Sequence, residues 1–71
     1  MAVMGDIVLE LWQGRLIEEY GQLSQRLAIL DAFLLTDEFN GLPPLDRDDL
    51  QEQSKAMHAY AAVLARRVKR L

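Results

Sequence analysis

Leu9, Trp12, Leu16, Tyr20, Leu23, Leu27, Leu30 and Leu34 recur every three or four residues along the first half of the chain. After Gly41-Leu42-Pro43-Pro44 the same rhythm returns in Leu50, Ser54, Met57, Ala61, Leu64, Val68 and Leu71. A helix turns once in about 3.6 residues, so each set lines one face of a helix. Two such helices separated by one tight break predict an all-α fold, an antiparallel two-helix hairpin. The chain reads as a single unit over residues 1–71, with helix one at about 6–36, the turn at 37–45 and helix two at about 46–71.

Local signals set these bounds. Asp6 suits an N-cap for the first helix, and Asp46, with Asp49 three residues later, suits one for the second. Leu45 and Leu50 occupy the staple positions that flank such a start. Gly41 can take the left-handed conformation that ends helices, and Pro43 and Pro44 stop continuation. Phe39 and Leu42 are placed to close the turn end of the core. Gly14 and Gly21 lie inside helix one, seven residues apart, either as tolerated weak points or as sites of close helix approach.

A lone hairpin of this size hides one face of each helix and needs a partner for stability. Helix one is expected to exceed helix two by about 9 Å at 1.5 Å per residue. Its overhang carries Ile7, Val8, Leu11 and Trp12, an apolar group that is predicted to form an oligomer interface. Ile29 and Phe33 on helix one, with Ala56, Tyr60 and Val63 on helix two, form a weaker second stripe. The expected assembly is therefore a homo-oligomeric helical bundle, with four-helix or coiled-coil packing.

Charge is divided unevenly. Residues 1–54 hold eleven acids against Arg15, Arg26 and Arg47, a balance of −8, whereas residues 55–71 hold five bases and no acid. Basic helix ends complement the helix dipole. The alternative is an anion site where several basic ends meet, since Arg66 and Arg70 lie four apart on one face and arginine forks suit phosphate. Ion pairs from Glu10, Glu18 and Glu19 to these bases are the plainer expectation. The acidic balance elsewhere makes duplex nucleic acid a poor fit. There is no cysteine, which excludes disulfides and thiolate metal sites. The longest apolar run, 59–65, is far short of the roughly 20 residues of a membrane span, and the first residues lack the basic start of a signal peptide. A location in the cytoplasm is expected.

Catalytic chemistry is sparse. His58 is the single histidine, and Ser24 and Ser54 occupy ordinary helical positions without a nucleophile turn. The Glu-x-x-His motif of di-iron bundles is absent, and so is a phosphate loop. The chain is read as a non-enzyme without cofactor or metal.

The segments RLIEEYGQLSQRLAILDAFL and FNGLPPLDRDDLQEQSKAMHAYAAVLARRVKRL carry a resemblance. Arg15, Glu19, Leu23, Arg26, Leu27, Leu30 and Phe33, then Phe39, Leu42, Leu50, Gln53, Met57, Tyr60, Leu64 and Arg67, match the spacing of small helical-hairpin accessory proteins of tailed and crAss-like phages. The chain also resembles oligomeric phage proteins that defeat CBASS or Thoeris immunity by sequestering cyclic nucleotide or ADP-ribose signals. That resemblance implies a phage counter-defence protein, acting in the infected bacterial host, that holds a nucleotide-derived signal between subunits without cleaving it. Tyr20 and Tyr60 are the residues to stack on a base, and Arg26, Arg66, Arg67 and Arg70 those to hold phosphate. The alternative is an interaction module whose apolar N-terminal overhang binds and inhibits a host or phage protein.

Overall fold

The computed structural model describes the backbone of residues 3–71 and the side chains of residues 11–71. Three helices follow in order: α1 (Val3–Phe33), α2 (Asp37–Asn40) and α3 (Pro44–Lys69). The described residues form no strand. The two long helices pack antiparallel, so that Trp12 stands beside Arg67, Glu19 beside Tyr60, and Asp31 beside Ser54.

The seam is built from the two stripes. Leu16, Leu23 and Leu64 form its buried centre, with Tyr20, Met57, Ala61 and Val68 packed against them. Leu64 has no exposed surface at all. At the turn end, Phe39 is buried and meets Phe33 edge to face, with ring centroids 6.2 Å apart, a preferred aromatic geometry. Phe39 thus plugs the closed end of the hairpin, with Leu42 half-buried beside it in the chain.

The helix ends and the connection differ from their sequence reading. The helical backbone of α1 reaches back to Val3, which puts Asp6 inside the helix rather than at its cap. At the other end α1 stops at Phe33, and the last turn tightens through Leu35 N–H to Ala32 O and Thr36 N–H to Phe33 O. Such short-range bonds satisfy carbonyls that the helix end leaves open. Thr36 then caps α2, its hydroxyl accepting from Phe39 N–H at 3.2 Å and donating to Phe33 O at 2.6 Å. Gly41 closes α2 with φ −81° and ψ −6°, a right-handed conformation, so the chain does not use the left-handed freedom of glycine there.

The start of α3 is set by proline. Pro43 is the cap residue and makes no side-chain cap bond, with Pro44 at the first helical position, where a missing N–H costs nothing and φ is already helical. Asp46 falls within the first turn and complements the dipole there instead of capping. Leu45 is 77% exposed, so the expected Leu45–Leu50 staple does not close.

A Cβ added at Gly14 or Gly21 would meet nothing within 4 Å. Neither glycine is needed for packing among the described residues. Gly21→Ala is therefore expected to stabilise the fold by about 0.5–1 kcal/mol through helix propensity, read as a rise in thermal midpoint by circular dichroism.

Candidate ligand and assembly surface

Four side-chain contacts cross the seam, two on each flank of the hairpin. Trp12, Glu19, Arg26 and Phe33 are each seven residues apart, two helical turns, and so form one line along α1. On α3, Asp49, Gln53, Ala56, Tyr60, Val63 and Arg67 alternate by four and three to form a second line. The Trp12–Arg67 and Glu19–Tyr60 contacts join these lines on one side. The Asp31–Ser54–His58 cluster joins the helices on the other side.

On the first side the Arg67 guanidinium lies 5.7 Å from the Trp12 ring centre, a cation–π stack. Stacking occupies the guanidinium face and leaves its N–H edge for an acceptor. The Tyr60 hydroxyl donates to the Glu19 carboxylate. That bond holds the phenol proton and pushes the Tyr60 pKa above its ordinary value, with burial and the Glu19 charge adding to the effect and Arg67 opposing it. Tyr60 remains 45% exposed and Trp12 49% exposed.

On the second side Asp31 accepts from both partners. Ser54 Oγ donates to Oδ1 at 2.7 Å, and His58 Nε2 lies 2.8 Å from Oδ2. These are the residue types of a hydrolase triad in a different order. A serine nucleophile needs the imidazole as its base, whereas here the carboxylate stands between the two. The cluster acts as a clamp across the helices. The Ser54 hydrogen bond, then that of His58 and its charge, hold the Asp31 carboxyl below its usual pKa against an opposing desolvation effect.

A lowered carboxyl pKa contributes stability that is present above the unfolded value and is lost as pH falls through the folded one. The thermal midpoint is thus expected to fall as pH drops below about 4, the ordinary range of a free carboxyl. In Asp31→Asn the acid limb should be flatter. Circular dichroism melts from pH 6 to pH 2 measure the difference.

The residues proposed for ligand binding do not converge within one chain. Tyr20 is half-buried and packs into the core cluster. Arg26, Tyr60 and Arg67 share the first flank, with Arg26 and Arg67 each about 10 Å along the helix from the Glu19–Tyr60 level, in opposite directions. Arg66 lies two residues from both Leu64 and Val68, so it and Arg70 occupy the far side of α3 from the seam, and both are exposed. Arg66, Arg67 and Lys69 form the basic last turn of α3. No ion pair joins the C-terminal bases to an acid among the described residues. Glu18 instead bonds Gln22 at 3.2 Å, and the Glu10 side chain lies outside the described residues.

Trp12 does not overhang, because Arg67 of α3 stacks on it; of the other expected overhang residues, Leu11 is 57% exposed, while the side chains of Ile7 and Val8 lie outside the described residues. No cavity forms within the described chain, and no three His, Asp or Glu side chains converge as a metal site among the described residues. No helix of the structure is long and apolar enough to cross a membrane.

The Asp31 clamp was not anticipated from the sequence, although its signal was there. Asp31 lies four residues after Leu27 and three before Leu34, an acid on the edge of an apolar stripe, and Ser54 is the single polar member of the facing stripe.

A family model, Sequestin, matches residues 10–70 of the chain. No curated protein and no solved structure matches it.

Proposed function

The chain belongs to the Sequestin family, and from that premise we propose that it binds and sequesters a nucleotide-derived immune signal without catalysis. The ligand is a cyclic nucleotide or an ADP-ribose derivative, and the setting is phage counter-defence in the cytoplasm of the infected host. The family's name supports sequestration. The basic end of α3 supports the anionic ligand: Arg66, Arg67 and Arg70 gather there without a described acidic partner. Each charge-assisted hydrogen bond from arginine to phosphate contributes about 1.5–3 kcal/mol. The exposed Tyr60 ring and the Trp12–Arg67 stack supply flat faces for a base on the neighbouring surface.

The proposed ligand is held where copies meet; among the described residues no cavity forms. A sponge of this kind returns its ligand unchanged. The test is calorimetric titration with cyclic di- and trinucleotides and with ADP-ribose derivatives, followed by heat release and mass spectrometry. Stoichiometric binding with release of intact ligand supports the reading. Absence of binding across both classes, or release of a cleaved product, rejects it.

The exposed Leu11 and Trp12 favour a second reading, a surface that binds and inhibits a host or phage protein. Under that reading a Trp12→Ala chain that still folds loses the protein partner in pull-down, and nucleotide binding is not seen.

A further inference from the structure

Both lines on the first flank reverse onto themselves. Along α1 the order is Trp12, Glu19, Arg26, Phe33: an aromatic residue, an acid, a base and an aromatic residue, evenly spaced. Read from either end, aromatic meets aromatic and acid meets base. Along α3, reversal sets Asp49 against Arg67 and Ala56 against Tyr60, acid against base and small against aromatic, with the polar Gln53 against the apolar Val63 between them.

The reversal centres lie between Glu19 and Arg26 on α1 and at the level of His58 on α3. Both fall on the turn side of the Glu19–Tyr60 bond, about 5 Å and about 3 Å along their helices. One axis therefore serves both lines to within about 2 Å. The opposite flank has no such order, being occupied by Gln13, Ser24, Asp31, Ser54 and His58.

We infer that this flank seats a second copy of the chain, related by a two-fold axis perpendicular to the helices. The partner then runs antiparallel, α1 on α1 and α3 on α3, in a four-helix arrangement. Isologous interfaces require this self-complementarity: if residue i meets j, then j meets i. Here Glu19 meets the partner's Arg26, Trp12 meets the partner's Phe33, and Asp49 meets the partner's Arg67.

The molecule measures 60 × 16 × 16 Å, so one side of it can supply the roughly 800 Å² per partner of a standard interface. Three of its aromatic residues, Trp12, Phe33 and Tyr60, lie on this flank, where they suit the core of an interface. The interface expected from the sequence thus moves from the overhang tip to the whole flank, with Trp12 as its outer member.

The register rests on the self-association invoked above. It carries the partner's Arg26 to the Glu19–Tyr60 pair, about 10 Å along the helix from where Arg26 stands in its own chain, and there its guanidinium meets the Glu19 carboxylate.

Charge reversal tests the register. Asp49→Arg sets arginine against the partner's Arg67 and is expected to weaken dimerisation at least tenfold in sedimentation equilibrium, a rough figure for like charges facing across an interface. Combining it with Arg67→Asp restores the pair with its sign exchanged, and is expected to return the dissociation constant to within about threefold of wild type, the cross term of a double-mutant cycle.

The chain holds no cysteine, so a single nitroxide at Asp46→Cys reports orientation. The antiparallel register puts the two labels about 36 Å apart along the axis at 1.5 Å per residue, whereas a parallel pair brings them within about 20 Å. A dimer that is insensitive to Asp49→Arg and gives the short distance overturns the register while leaving self-association standing. A wild-type chain that stays monomeric overturns both. Nucleotide binding is measured separately and decides neither.

Discussion

Leu64→Ala is expected to remove about 2–5 kcal/mol of stability, the cost of truncating a fully buried leucine and leaving a cavity. Leu64 has no exposed surface, and it belongs to the buried cluster that it forms with Leu16 and Leu23 of the facing helix. Small domains are stabilised by only a few kcal/mol in total. The variant should therefore lose its cooperative melt and much of its helical circular dichroism at room temperature. Leu35→Ala is the matched control. Leu35 is 89% exposed, so the same truncation there should stay within about 0.5 kcal/mol of wild type. Equal losses at the two positions would place the core somewhere other than the α1–α3 seam.

Under the proposed sequestration, Arg66→Glu combined with Arg70→Glu is expected to abolish nucleotide retention. Two charge-assisted hydrogen bonds at about 1.5–3 kcal/mol each correspond to a loss of at least a hundredfold in affinity. Both residues are exposed and stand away from the seam, so helicity and melting should change little. Binding to the wild-type chain should weaken as salt rises, because exposed charges are screened beyond about 8–10 Å. If the chain instead binds a protein through Leu11 and Trp12, the same double variant leaves that contact largely intact. The two functional readings thus separate on one pair of substitutions, with calorimetry for the ligand and pull-down for the protein.

Helical periodicity made the fold readable. Leu16, Leu23, Leu27, Leu64 and Ser54 all stand in the two apolar stripes, and all are buried. Burying one face of each helix is a local consequence of spacing, which is why the spacing alone finds it. Capping was less legible, because several residues compete for each helix end. Asp46 has the chemistry of an N-cap, yet Pro44 has its φ already fixed for the first helical position, and the helix begins there. Gly41 was free to be left-handed, but the α2 turn, capped by Thr36, closes with ordinary right-handed geometry.

The candidate site was legible only as a set of residue types. The basic C-terminal end of α3 is visible in the sequence, since it needs only a count of charges along one helix. Which arginines stand on which side depends on how the two helices are rotated about their axes. The Glu19–Tyr60 and Trp12–Arg67 contacts fix that rotation. They put Arg67 on a flank with Arg26, leave Arg66 and Arg70 on the far side of α3, and turn Tyr20 into the core.

By itself, then, the sequence determined the helices, the break between them and the faces they bury, because each follows from residues within a few positions of one another. The tertiary structure decided the pairings: Asp31 with Ser54 and His58, Tyr60 with Glu19, and Arg67 with Trp12. Those contacts join residues at least 23 positions apart, and their geometry depends on helix register and rotation, which a pattern along one helix does not specify.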